Sequence, residues 1–156
     1  MRYVAIDLGD KRTGIAAGDA VTRLVSPVDV IEVPIVQRDG EALLEAIVEA
    51  VVQQLGPPIR GGTGAELVIG LPLNMDGSEG PKAKQVREFA ARVAQRTGRT
   101  VRLQDERLSS VDADWRMARS GLTRKQKKGR RDALAAAAIL KDYLDTLGPG
   151  GSGPTA

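Results

Sequence analysis

The sequence predicts an α/β fold: a mixed five-stranded sheet whose first three strands form an antiparallel meander, with helices on both faces. Three observations predict it. Three short apolar runs stand between Arg2 and Val33, joined by links too short to hold a helix, which is how antiparallel neighbours connect. From Asp39 onward helical and extended patterns alternate, the mark of parallel strands joined by right-handed crossovers. The apolar residues, 42% of the chain, include one Trp, one Phe and two Tyr, so the core is aliphatic. A chain of 156 residues suits one domain that buries roughly two-thirds of its unfolded surface.

Each element follows from local chemistry. Val4, Ala5 and Ile6 read as a buried central strand, covered on both faces. Asp7 interrupts that run, and Gly9 and Gly14 follow it. Arg12–Gly18 returns as a second strand, with Gly14 and Gly18 marking close backbone approach. Asp19-Ala20 is a turn. Val21–Val33 is the third strand, and Ser26-Pro27 within it argues for a sheet edge or a bulge. Asp39 is the expected N-cap of a first helix, with Glu41 in its first turn. Leu43, Leu44, Ile47, Val48, Val51, Val52 and Leu55 continue it at helical spacing, until Gly56-Pro57-Pro58 stops it. Ile59–Gly64 is a surface loop.

Glu66–Leu71 is a buried strand that ends in the turn-rich loop Pro72–Gly80. Pro81 opens a second helix, striped by Val86, Phe89, Ala90, Val93 and Ala94, and Gly98 closes it. Thr100–Gln104 is the fifth strand, finishing in Asp105-Glu106-Arg107. Ser109 or Ser110 caps a short helix through about Arg119. A basic loop follows over 124–131, then a final Ala-rich helix from about Arg131 to Leu147. These elements make one domain over 1–147. The Gly/Pro/Ser tail, 148–156, is expected to be disordered.

Composition narrows the chemistry. The chain has no Cys and no His, which excludes thiolate or imidazole metal sites and His-dependent triads. No run approaches the ~20 apolar residues that span a bilayer, and the N-terminus lacks a signal peptide, so no membrane role and a cytoplasmic location are expected. Arg124, Lys125, Lys127, Lys128, Arg130 and Arg131 are six of the 23 basic residues. Without them the chain holds 17 basic against 20 acidic residues, so the positive excess is local and points to an anionic partner there.

In open α/β sheets ligands bind beyond the carboxyl ends of the parallel strands. Asp7 lies at one such end and Asp105-Glu106 at another, with one of that pair facing the site. Asp132 shares a helical face with Ala136, Leu140 and Tyr143, which packs on the sheet and turns Asp132 inward. Each acid has a plainer explanation: a turn former for Asp7, a surface ion pair for Glu106, a dipole-favoured residue for Asp132. Their joint placement beside a basic segment favours chemistry. Inward carboxylates without His or Cys suit Mg²⁺ or Mn²⁺, and a pair of such ions roughly 4 Å apart serves phosphodiester hydrolysis. The basic residues, with Arg12 just beyond the Asp7 turn, would hold phosphates in a salt-dependent manner blind to sequence. These pieces compose a nuclease.

The segment Ala5–Ala16 resembles the opening motif of the YqgF/RuvX family, with an RNase H-like, RuvC-related fold. Val68–Gly77, Asp105–Ser109, Asp132–Ala136 and Ile139–Leu144 extend the resemblance in the family's order. It implies Asp7, Glu106 and Asp132 as metal-binding catalytic acids. It also implies processing of the 5′ end of the precursor of 16S ribosomal RNA, in ribosome biogenesis. Relatives are alternatively described as Holliday junction resolvases, acting in DNA recombination and repair. Asp10 departs from the hydroxyl residue expected after Leu8-Gly9 and is read as a turn residue; Asp105 stays an alternative to Glu106.

Two rivals stand beside the nuclease. An ATP-binding domain of the actin/sugar-kinase type uses a similar Asp-x-Gly turn but needs two domains to enclose its nucleotide. A non-catalytic nucleic-acid-binding module would use the basic segment alone. Resolution by paired nicks would require a dimer, so the expected state is monomer or homodimer.

Overall fold

A computed structural model of the chain describes residues 2–56, 65–106 and 124–147. Strands β1 (Arg2–Asp7), β2 (Thr13–Asp19) and β3 (Val25–Ile31) precede helix α1 (Glu41–Leu55), then β4 (Ala65–Leu71), α2 (Pro81–Thr97), β5 (Val101–Asp105) and α3 (Arg124–Asp145). The sheet order is β3-β2-β1-β4-β5. β1 pairs antiparallel with β2 and parallel with β4, β2 pairs antiparallel with β3, and β4 pairs parallel with β5. The predicted mixed sheet with its leading meander is the one observed.

The period-two alternation of β1 divides the core. Val4 and Ile6 point to one face, where Leu43, Ile47 and Val51 of α1 and Val86, Phe89 and Val93 of α2 cover them. Tyr3 and Ala5 point to the other, where Ala136, Ile139, Leu140 and Leu144 of α3 cover them. Every residue from Tyr3 to Ile6 is buried, which explains the unbroken apolar run. Pro27 sits on the edge strand, and the β2–β3 register shifts beside it, between Ile15 and Ala16, so both tolerances expected of a strand proline are used. The Asp19 carboxylate accepts from the backbone N–H of Val21 (2.7 Å) and Thr22 (3.1 Å), making the predicted turn.

Two local expectations are corrected. Asp39 is not the N-cap of α1. It lies in a 3₁₀ turn, Gln37–Gly40, where Arg38 and Asp39 both adopt positive φ (50° and 54°), and Gly40 is the residue that leads into the helix. An aspartate in the left-handed region does not present its carboxylate to the helix N–H groups; instead Arg92 donates to the Asp39 carbonyl at 2.9 Å. The basic segment is also not a loop. α3 begins at Arg124, because straight-chain Arg, Lys and Gln are good helix formers that Gly129 alone does not outweigh.

The predicted loop at 59–64, the short helix over 109–119 and the tail over 148–156 lie outside the described residues. Among the described residues no helix is long and apolar enough to cross a membrane.

Candidate active site

The carboxyl ends of β1, β4 and β5 share one edge of the sheet. Side-chain alternation decides what each end presents. Because Val4 and Ile6 face α1 and α2, Asp7 faces α3. On β5 the partly buried Val101 and Leu103 pack into the α1/α2 cluster, so Glu106 takes the parity of Arg102 and Gln104 and also faces α3. The Glu106 N–H donates to the Leu71 carbonyl at 3.3 Å, which carries the ladder one residue past the strand and holds that parity. Asp105 takes the opposite parity. Of the two acids left open by the sequence, Glu106 is the one that meets Asp7.

Glycines make the meeting sterically possible. Gly14 is the cross-strand partner of Asp7 in the β1–β2 register. A Cβ on Gly14 would collide with the backbone carbonyl of Asp132 and the amide of Ala133, so α3 rests its backbone directly on β2 at this point. Gly70, on β4, carries the Glu106 side chain: a Cβ there would overlap Glu106 Oε2 and stand 2.6 Å from Ile139 Cδ1. Asp7 is thus flanked across both neighbouring strands by residues without side chains, and Asp132 and Glu106 occupy the freed space.

Gly70→Ala is expected to lower catalytic activity about tenfold or more while costing only about 1–2 kcal/mol of stability, because a carboxylate side chain yields more easily than backbone. Parallel turnover and denaturation measurements check it; full activity would show that Glu106 need not lie over Gly70.

The electrostatics follow from this crowding. Burial raises the Asp7 carboxyl to about 8, with the charges of Glu106 and Asp132 adding to the effect. Glu106 is also raised, chiefly by burial, and it accepts a hydrogen bond from the Asp7 carboxyl. One proton is therefore shared between two half-buried carboxylates, a pair that titrates as a unit. Burial raises Asp132 as well, while Arg12 and Arg131 act against that rise. Among the described residues no three acidic side chains form a ready-made cage for one ion; the arrangement is a hydrogen-bonded pair with Asp132 within electrostatic reach.

This donor set fits a hard divalent cation. Mg²⁺ binds through one or two carboxylates, water and substrate phosphate rather than through an all-protein cage. Two half-buried carboxylates that share a proton are ligands whose full negative charge is otherwise poorly compensated.

One member of the site escaped the sequence reading. Lys82, the second residue of α2, places its ammonium 2.6 Å from Asp10 Oδ1 and favours ionisation of both Asp7 and Glu106. Its signal was present: a cation in the first turn of a helix runs against the helix dipole, and that turn carries no acid. Asp10 is an exposed turn residue, as read, but one whose carboxyl Lys82 holds below its usual range. Gly70 interrupting an apolar strand was the other missed signal. Arg12 is half exposed, with Glu32 at 3.9 Å, and it lies close enough to Asp132 to favour its ionised form. Arg131 is exposed on α3 and acts on Asp132 likewise. Arg124, Lys125, Lys127, Lys128 and Arg130 lie on the turns of α3 that precede Asp132.

Comparison with known proteins agrees with this architecture. A protein 41% identical over 145 residues, covering 93% of this chain and 97% of its own length, is the "Putative pre-16S rRNA nuclease" of Anaeromyxobacter sp. strain Fw109-5. A protein of the same name from Myxococcus xanthus is 36% identical over 149 residues, covering 96% of this chain and 91% of its own length. Among solved structures, Thermus thermophilus RuvC in complex with a Holliday junction substrate shares the fold, with a TM-score of 0.52 and 14% identity over 92% of this chain and 94% of that one. The family model described as "RuvX: Holliday junction resolvase" matches residues 1–146. With the acids, the sheet order and the near-complete match in hand, the chain belongs to the RuvX family.

Proposed function

We propose that the protein is a metal-dependent endonuclease that hydrolyses phosphodiester bonds in structured nucleic acid. Asp7, Glu106 and Asp132 are its catalytic acids and hold Mg²⁺ or Mn²⁺, two ions in the working site. The observation that carries the reading is the half-buried, proton-sharing Asp7–Glu106 pair with Asp132 within electrostatic reach, at the carboxyl edge of the parallel strands. When bound, such ions supply an activated water and charge stabilisation for the leaving oxygen. The chain's own residues do the rest. Asp7 and Glu106 give up their shared proton to become ligands, and the rigid β1–β4–β5 edge fixes their spacing. Arg12, Arg124, Lys125, Lys127, Lys128, Arg130 and Arg131 bind phosphates without reading bases.

The preferred substrate is the precursor of 16S ribosomal RNA, and the reaction is processing of its 5′ end in ribosome biogenesis, a cytoplasmic task. Support comes from relatives of that name at 36–41% identity over nearly their full length. A four-way DNA junction is the second reading, favoured by the description of the family model; it would call for a homodimer that nicks two strands, where the RNA reaction suits a monomer.

The test offers both substrates, end-labelled, to the purified protein with Mg²⁺ and with Mn²⁺. Cleavage of the RNA precursor near the mature 5′ end is expected. Cleavage of the junction alone would overturn the substrate, and binding of either without cleavage would favour a non-catalytic nucleic-acid-binding module.

A further inference from the structure

The acids of the site divide between two groups of cations. Arg12 and Arg131 act on Asp132, whereas Lys82 acts on Asp7 and Glu106. Lys82 opens α2 directly after the loop that leaves the carboxyl end of β4, and Asp10 follows the carboxyl end of β1, so their contact stands at the sheet edge that carries Asp7 and Glu106. Lys82 is held at the site from outside: Asp10, three residues beyond Asp7 in the β1–β2 turn, grips its ammonium at 2.6 Å. The Lys82 side chain is 37% exposed and that of Asp10 76% exposed, so this contact forms at the solvent-facing rim. Nothing in helix chemistry favours a lysine here, because the first turn of α2 presents N–H dipoles that repel a cation, and Lys84 follows in the same turn.

We propose that Lys82 is a tethered counter-cation: Asp10 holds it at the rim of the acidic site, where it opposes a divalent ion and sets how tightly the free protein binds one. The proposal rests on Asp7 and Glu106 being ion ligands, as proposed above. A monovalent charge that compensates the carboxylates from the rim repels a divalent ion placed between them. Asp10 gives Lys82 a partner that persists when an ion takes the inner carboxylates, so the ammonium stays near the rim rather than swinging free. The free protein then binds ions weakly, and a substrate phosphate at the rim, by pairing with Lys82, removes the repulsion and lets the ion bind firmly. Metal loading becomes linked to substrate.

The experiment measures Mn²⁺ binding to the full chain without nucleic acid, by the spin-resonance signal of free Mn²⁺. Lys82→Met is expected to bind about tenfold more tightly than the unaltered protein, the effect of removing one close charge, and Lys82→Gln should do the same should the Met variant fold poorly. Lys82→Arg, which keeps the charge, should stay within about twofold of the original affinity. Unchanged or weaker binding in both neutral variants, with binding still lost in Asp7→Asn, would overturn the role of Lys82 while sparing the site. Undiminished Mn²⁺ binding in Asp7→Asn would overturn the site itself.

Discussion

Asp7→Asn is expected to lower single-turnover cleavage by roughly 10³-fold or more while leaving nucleic-acid affinity within about threefold. The amide keeps the size of the carboxyl and can still donate to Glu106, so the fold is preserved. What it loses is the negative charge and the second oxygen anion that a hard cation requires. The residues proposed to bind phosphate, on α3 and at Arg12, are other than Asp7, so binding should survive. Cleavage and gel-shift measurements at one salt concentration check both halves; a variant that cut at the original rate would remove Asp7 from the site.

The same variant has a thermodynamic signature. The Asp7 carboxyl is raised to about 8 in the fold, against about 3.9 in an unfolded chain. Between those values the folded protein retains a proton that the unfolded chain has released. The stability tied to that proton is fully present at acid pH and lost as pH rises through about 8. In chelator, thermal stability should therefore fall from pH 5.5 to pH 8.5 in the original protein. Asp7→Asn should flatten that fall and gain on the order of 2 kcal/mol at the alkaline end. An equally steep fall in the variant would place its origin elsewhere.

Gly14→Ala is expected to be the most damaging small substitution in the described core, at on the order of 3–4 kcal/mol. Its methyl group would enter the backbone of Asp132 and Ala133, and backbone inside a helix cannot turn aside as a side chain does. Relief requires α3 to lift from β2, and α3 is the cover over Ala5, Ala16 and Val68. Lifting it would expose part of that cluster and draw Asp132 away from Asp7, so activity should fall with stability. Denaturant unfolding measures the loss, and one below about 1 kcal/mol would show that α3 does not rest on Gly14.

Much of this was legible in the chain. The apolar run broken by Asp7 marks a strand buried on both faces, and Pro27 marks the edge. The helical face of Asp132, Ala136 and Leu140 marks the side of α3 that meets the sheet. Other parts depended on relations no local pattern carries. The choice between Asp105 and Glu106 turned on a hydrogen bond to Leu71, on a neighbouring strand. The positive φ of Arg38 and Asp39 is held in part by Arg92, more than fifty residues away. The basic segment looked like a loop because like charges repel and Gly129 interrupts them, yet the propensity of its long side chains prevailed. Lys82 could be placed at the acids only once the β1–β2 turn and the start of α2 were seen to meet.

The continuity of α3 has a metric consequence. Had the basic residues lain on a loop, their distance from the acids would vary from moment to moment. On one helix it is a ruler: at about 1.5 Å of rise per residue, Arg124 stands roughly 12 Å along the axis from Asp132. Under the proposed function, an anion bound by the opening turns would be held at that offset from the acid, and the spacing between binding and cleavage would be a length set by helix geometry.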